Sequence, residues 1–460
     1  MNRNNSNNWI QQRDNFFTIQ ARDLQADIFM VTNLAEEILA GNVASLDIFS
    51  DDPVFDLYNQ TLMQMMTFHD RIFGVPAHTF PSGVFVNYTL ARANDIKIPP
   101  VDWTTEQFID FVSHHEPHQW YGSWMVPLGL FERGTLDFDY QLLWREENES
   151  FVRMDTPAMR QIQHLAMQMA GHTFITNHDQ GRTSHEFFLQ HVAIDWAAGD
   201  GGMWRAFSSG VLLAFPLPNA AFLQISPFGS PRHPSRPQMA EWDYLPRPST
   251  EWIGNHIGTE MIPFAIRNYA MDDDDPALSP EEYTRLKIAW EFLRFFTTDI
   301  RAWQAMSAFE YGPYRLSALD SFPFVSGQLF YDKMDILLET ESWQIFQNQS
   351  NFPGFHYVVQ LWEQGQNFGL SRNAFPMTAN REVDQAIVQT YIPLEWTLRL
   401  RGDTQVGVPI THPEWADRMN NDMLPEWDRR FNQRWQERFD ELYTVIQRYY
   451  PMLIRPGEGR

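Results

Sequence analysis

The 460-residue sequence contains no cysteine. This excludes disulfide bonds, a thiolate nucleophile, any zinc site built on cysteine and a lipid-modified cysteine within these residues. Long apolar runs are missing as well. No stretch of about 18 apolar residues occurs, so no segment reads as a membrane-spanning helix. The start, Met1-Asn2-Arg3-Asn4-Asn5-Ser6-Asn7-Asn8, lacks the apolar stretch of a secretory signal peptide. Bases are scarce: 34 Lys and Arg stand against 58 Asp and Glu, a net charge of -24. A surface of that sign repels phosphate backbones and argues against nucleic acid as a partner. An anionic ligand would need a local basic pocket.

Motifs for catalysis are equally thin. There is no Gly-x-Ser-x-Gly nucleophile elbow. Gly199-Asp200-Gly201-Gly202 lacks the lysine of a phosphate loop and has Trp204 where a third glycine belongs. In His114-His115-Glu116-Pro117-His118, the histidine beside Glu116 is followed by another three residues on rather than four, and Pro117 breaks the helix that a zinc-protease site needs. The acids from Asp272 to Asp275 read as a solvated loop. No cofactor and no metal ligand set is expected.

What the chain has in plenty is aromatic residues: 17 Trp, 15 Tyr and 36 Phe. With 43% hydrophobic residues the chain can bury a large core, and its length suits two or three domains. Most of the aromatics belong in that core. A few are candidates to line a cleft and stack on sugar rings, whose axial C–H face is apolar.

The periodicity predicts helix, strand, loop and helix in succession, an α/β unit. Residues 9–22 read as a helix with Trp9, Phe16, Phe17 and Ile19 loosely on one face, followed by a buried strand at Ala26–Thr32. A helix from Leu34 to Ala40 ends at Gly41. Residues 54–68 read as one apolar-periodic helix, and 71–76 as a short hairpin and approach strand. Strand 84–88, a short helix, a Pro99-Pro100 turn and a helix capped by Thr104 and Gln107 follow. Asp155 caps another helix, and 192–196 is a short apolar strand. Residues 216–252, rich in Pro, Ser and Arg, read as loop with short strands at most. Ile262–Ile266 is a strand, and Ser279-Pro280-Glu281-Glu282 is a strong helix start. An amphipathic helix carries Phe431, Trp435, Phe439, Leu442, Ile446 and Tyr449.

Ser82-Gly83-Val84-Phe85-Val86-Asn87-Tyr88 through Ile98-Pro99-Pro100, Asp102-Trp103-Thr104 and Phe108 resembles the crossover segment of bacterial extracellular solute-binding proteins, the sugar receptors of ABC importers. Weaker landmarks occur in the family's order. They include Ala26-Asp27-Ile28-Phe29-Met30, Leu46-Asp47, Phe73-Gly74-Val75-Pro76 and Asp155-Thr156-Pro157. Gly201-Gly202-Met203-Trp204, Gly258-Thr259, Trp290-Glu291-Phe292-Leu293 and Tyr311-Gly312-Pro313-Tyr314-Arg315 follow. The sequence departs from the pattern in the order Val86-Asn87-Tyr88 and in lacking a double glycine near Trp144. It also departs at its start, where the family's opening strand, helix and strand and its export signal are not found. An N-terminal truncation is the expectation.

The resemblance, maltodextrin-binding-like in type, implies an α/β, two-lobed periplasmic-binding-protein-like fold of type II, with hinge strands and an interlobe cleft. Lobe one would hold residues 1–82 and 259–316, and lobe two 83–258 and 317–460. A carbohydrate, expected to be a neutral oligosaccharide, would bind in the cleft and be enclosed by hinge closure. The implied ligand-binding residues are Asn33, His78, Phe80, Trp204, Thr259, Glu260, Tyr311 and Arg315. Trp204 would be the stacking platform, and the polar groups would pair with vicinal hydroxyls. The implied partners are the carbohydrate and the permease subunits of an importer. The implied state is a monomer at the extracellular face of the membrane or in the periplasm. No catalytic residue is expected. Two other readings compete. A carbohydrate-active hydrolase would need two carboxylates about 5–9 Å apart, for which Asp195, Asp200 and Glu260 are available. A degenerate receptor would have lost its ligand.

Overall fold

The computed structural model describes residues 26–31, 34–68, 71–114, 121–124, 173–174, 212–218, 241–249, 254–269, 278–307, 322–340 and 343–368. It also describes 157, 160, 440–446 and a few single helical positions between 417 and 437. The strands are β1 (Ile28–Met30), β2 (Thr67–Phe68), β3 (Arg71–Ile72), β4 (Val75–Asn87), β5 (Tyr121–Trp124), β6 (Thr173–Phe174), β7 (Leu212–Pro218), β8 (Trp242–Leu245), β9 (Ile257–Ile266) and β10 (Asn367–Phe368). Among the described residues, eight of them form one open sheet ordered β1-β9-β4-β7-β5-β6, with β10 added to β9 and β8 to β4. β2 and β3 form a small hairpin, Thr67 opposite Ile72 and Phe68 opposite Arg71, earlier in the chain than the one expected at 71–76 and using residues expected to end a helix.

Two long strands run through this sheet. β4 and β9 are antiparallel, from Val75 opposite Phe264 to Ser82 opposite Gly258. Beyond Ser82, β4 continues alone of the two. It pairs with β7 on one side, from Ser82 to Val86, and with β8 on the other, from Val84 to Asn87. At its far end β9 carries β1, antiparallel. β5 is parallel to both β7 and β6. Parallel neighbours require crossover connections, the mark of α/β architecture.

The residues around β4 dictate where it ends. Asn87 turns the chain into α3 (Tyr88–Ala93) because its side chain accepts the Leu90 N–H at 2.9 Å. After the Pro99-Pro100 turn, α4 (Thr105–Val112) opens with a reciprocal capping box. The Gln107 side chain accepts the Thr104 N–H at 2.8 Å, and the Thr104 hydroxyl accepts the Gln107 N–H at 3.3 Å. Phe108, Phe111 and Val112 bury the face spaced by three and four.

α5 (Pro280–Thr298) starts from the same device, Ser279 with Glu282, and has proline in its first turn. It buries Leu286, Ala289, Trp290, Leu293 and Thr297, and Phe296 packs half-buried against the core. α6 (Ile300–Ser307), α7 (Gln328–Glu339) and α8 (Pro353–Glu363) complete this part.

Two segments differ from expectation. β1 is half-buried rather than buried; among the described residues it pairs with β9 alone, at the end of the sheet order. Residues 54–68 are not one helix. A tight helical turn at Pro53–Leu57 is followed by extended Tyr58, and α2 (Gln60–Gln64) begins afresh from Asn59. Tyr58 is held extended by its bridge to Val325 and by a 2.6 Å hydrogen bond between its hydroxyl and that of Thr297. Asn59 caps α2 by accepting the Leu62 N–H and donates to the Trp362 carbonyl. These tertiary bonds outweigh a periodicity that alone favours helix. α1 (Leu34–Leu39), by contrast, ends as expected before Gly41, whose φ is 69°.

The core is continuous and rich in aromatic rings. Trp103, Trp290, Trp343 and Trp362 are all fully buried. Phe322 meets Trp343, Phe355 and Trp362 with ring centroids 5.6, 6.0 and 5.4 Å away, all edge-on, the arrangement that ring quadrupoles favour. For these residues the abundance of aromatics is explained by packing.

Candidate functional site

The point where β9 leaves β4 is the most constrained place in the sheet. β9's pairing ends at Ser82 and β8's begins at Val84, so the edge of β4 changes partner at Gly83. A backbone N–H and a carbonyl would be stranded there. Tyr244 of β8 satisfies both: its hydroxyl accepts the Gly83 N–H and donates to the Pro81 carbonyl at 3.2 Å. Gly83 is required by this approach, because a Cβ would fall on the Leu245 carbonyl oxygen and 3.0 Å from the Tyr244 ring.

On the facing strand, Gly258 makes the same allowance for Arg247. A Cβ at Gly258 would collide with the guanidinium, whose Cζ would be 2.6 Å away. Arg247 is buried, and its backbone N–H donates to the His256 carbonyl at 2.9 Å. Asn255 braces this turn by donating to the carbonyls of Trp103 at 2.9 Å and Arg247 at 3.2 Å. The Trp103 indole donates to Pro246 at 2.8 Å. Thr79, one residue before Phe80, is locked from behind: its hydroxyl donates to the Phe322 carbonyl at 2.7 Å and its carbonyl accepts the Phe322 N–H at 2.9 Å.

Four of the eight expected ligand residues lie on these two strands. His78 is opposite Ile262, Phe80 is opposite Glu260, and Thr259 is opposite Pro81. The backbone therefore brings His78, Phe80, Thr259 and Glu260 within a few register steps of the crossing. Asn33, Trp204, Tyr311 and Arg315 lie outside the described residues, as do Thr32, Asp195 and Asp200.

The sequence reading missed Tyr244 and Arg247. Both sit in the segment 216–252, where no period stands out. The signal present was Trp242-Asp243-Tyr244-Leu245, four residues that are all buried.

His114 ends α4 with its Nδ1 donating to the Phe111 carbonyl at 3.1 Å, and His115–His118 lie outside the described residues. Among the described residues, no group of three or more His, Asp or Glu side chains could hold a metal ion. No described helix is long and apolar enough to cross a membrane.

No protein-family model matches the sequence, and no curated protein does. Solved structures do match. The chain is similar to a sugar transporter from Rhizobium etli in an open conformation, at 12% identity over 91% of this chain and 88% of that one, with a TM-score of 0.57. It is similar to a cyclic alpha-maltosyl-1,6-maltose binding protein from Arthrobacter globiformis, at 12% identity over 94% and 89%, with a TM-score of 0.54. A third likeness is to an ABC substrate-binding protein from Listeria monocytogenes in complex with cycloalternan, at 12% identity over 91% and 87%, with a TM-score of 0.53. At such identities the likeness is one of fold. The fold is the expected one: α/β, two-lobed and periplasmic-binding-protein-like, with the open sheets of type II.

Proposed function

We propose that the chain is the substrate-binding protein of an ABC importer, acting outside the cytoplasmic membrane. It takes up a carbohydrate between two lobes and delivers it to the permease subunits. One observation carries this reading: β4 and β9 run antiparallel through the sheet and part at Ser82 and Gly258, so two crossing strands are available as a hinge. The fold shared with sugar-binding proteins supports the ligand class. Lobe one comprises residues 1–82 and 259–316, and lobe two 83–258 and 317–460. In that division lobe two bears on lobe one through Val325 against Tyr58, Lys333 against Thr297, and the carbonyls of Trp362 and Gly365 against Asn59 and Thr61.

The ligand in this reading is a neutral oligosaccharide of maltodextrin type. Trp204 stacks on a sugar ring, while Asn33, His78, Phe80, Thr259, Glu260, Tyr311 and Arg315 supply the remaining contacts. Binding needs no covalent chemistry. It favours a closed state by as much as the sugar binds that state better. The receptor works as a monomer.

The test is a thermal-shift screen of the full chain against mono- and oligosaccharides, with small-angle scattering on any hit. A saturable rise in melting temperature with a fall in radius of gyration is expected for an oligosaccharide. A screen with no stabilising sugar overturns the reading. Equal stabilisation of the parent and Trp204→Ala removes Trp204 from the site.

A further inference from the structure

α8 is fastened at both ends, and the lobe division given above puts the two fastenings in different lobes. At its N-terminus the partner is β8, in lobe two. Asp243 accepts the N–H groups of Gly354 and Phe355. The fit is close. A Cβ at Gly354 would stand 2.9 Å from the Asp243 Oδ2 and from the Leu245 Cδ1, and 3.0 Å from the Tyr244 carbonyl oxygen. The Trp242 ring, also on β8, meets Phe352 and Phe346 with centroids 5.0 and 5.6 Å away.

At the C-terminal end the partners belong to lobe one. The Asn59 side chain donates to the Trp362 carbonyl at 3.2 Å, and the Thr61 hydroxyl donates to the Gly365 carbonyl at 3.2 Å. Asn59 and Trp362 are both buried, so breaking their bond strands a donor and an acceptor away from water. Shortly after α8, β10 pairs with β9 at Ile257 and Gly258. Gly258 is also where the pairing of β9 with β4 ends, so this end of α8 reaches the crossing strands.

We propose that α8 is a strut between the lobes, holding them at one mutual angle. Its 11 residues form a rod about 16 Å long. The crossing strands can bend at Ser82 and Gly258, but a hydrogen-bonded helix neither shortens nor folds. A swing of one lobe against the other is therefore taken up where α8 meets β8, or where it meets Asn59 and Thr61. Such a strut requires the two-lobed hinge proposed above but no particular ligand.

The absence of cysteine lets a pair of spin labels be placed at will. Asp110→Cys on α4 and Ile288→Cys on α5 put them at exposed positions in lobe two and lobe one. Pulsed electron–electron resonance on the full chain without sugar should give one narrow distance distribution. Freeing the lobe-one end with Asn59→Ala and Thr61→Val should broaden it about twofold, and so should prising the lobe-two end apart with Gly354→Ala. Treating both ends together should broaden it no further, because a strut cut once is already cut. Far-UV circular dichroism checks that each variant is folded. If Asn59→Ala unfolds the chain, Thr61→Val alone, which removes one hydroxyl from a half-buried side chain, serves as the lobe-one variant and should broaden the distribution in the same direction. An unchanged distribution in folded variants overturns the proposal. A parent distribution as broad as theirs, or broadening that adds from the two ends, overturns it as well. No sugar enters the sample, so a chain that fails the sugar screen can still show the strut, and a chain without the strut can still bind sugar.

Discussion

Asp243, on β8, accepts the backbone N–H of Gly354 at 2.7 Å and so caps a helix 111 residues further along the chain. It also accepts the N–H of Phe355 at 3.1 Å and of Tyr244 at 2.7 Å. The residue at the cap position of α8, Phe352, offers no side-chain cap. The neighbouring strand supplies it, and the carboxylate sits at the positive end of the helix dipole. The carboxylate is nevertheless wholly buried. Burial outweighs these bonds and pushes its pKa from 3.8 up to about 6.

A raised folded-state pKa means that the folded protein holds this proton more tightly than the unfolded chain does. The contribution to stability is complete below about pH 4 and is lost as pH rises through 6. Relative to Asp243→Asn, the parent should lose about 3 kcal/mol between pH 4 and pH 7. Urea unfolding of both proteins across that range measures it. A stability difference independent of pH would refute the assignment.

Lys333 is buried completely, its Nζ donating to the Thr297 carbonyl at 2.5 Å and lying 4.8 Å over the Trp303 ring. Burial holds its pKa well below 10.5, against a smaller upward pull from Asp299. Between the folded and unfolded values the unfolded chain binds more protons, so stability rises with pH in that window. Lys333→Met fills the same space without a titrating group and should abolish the rise. Denaturation of parent and variant from pH 7 to pH 10 tests this, and parallel profiles would rule it out.

What could be read from the sequence was local chemistry. Thr104 with Gln107 and Ser279 with Glu282 are capping boxes because both partners lie within one turn. The apolar runs 84–86 and 262–266 are strand cores by composition alone. The continuity of β4 was hidden, since Pro76, Pro81 and Gly83 interrupt its pattern. Its partners β9 and β8 and the Tyr244 hydroxyl make it one strand. Asp243 and Lys333 were equally hidden, because Gly354 and Thr297 are distant in sequence. At the candidate site, the family resemblance named His78, Phe80, Thr259 and Glu260 beside the crossings but outside the strands expected at 84–88 and 262–266; the longer β4 and β9 take them in. Arg247 had no such landmark.

The two glycines of the crossing should respond differently to the same substitution. At Gly83 an added methyl meets the Leu245 carbonyl, part of a paired strand that has no room to move. Gly83→Ala should cost about 3 kcal/mol. At Gly258 the obstacle is the end of the Arg247 side chain rather than backbone, and Gly258→Ala should cost about 1 kcal/mol. Urea midpoints give the order. Equal losses would mean that Arg247 is as rigidly held as the backbone.

Asp52 should titrate in the sense opposite to Asp243. Its carboxylate accepts the Val54 N–H at 3.0 Å, the Trp290 indole at 3.0 Å and Arg294 at 3.1 Å. Trp290 is itself stacked between Phe49 and Phe55, at 5.4 and 5.0 Å, so its N–H has a fixed direction. Burial raises the Asp52 pKa, but the Val54 N–H, the indole and the guanidinium together outweigh it and hold the group below 3.8. A lowered folded pKa adds stability that is present above the unfolded value and lost as pH falls through the folded one. Asp52→Ala should therefore cost about 2 kcal/mol at pH 7, where the indole N–H is left unpaired beside lost charge. The cost should be smaller at pH 3, below the ordinary carboxylate value of 3.8, where the unfolded chain takes up the proton and the folded carboxylate's advantage shrinks. Urea midpoints at the two pH values decide it: a deficit that does not shrink on acidification would show that the carboxylate's charge contributes nothing.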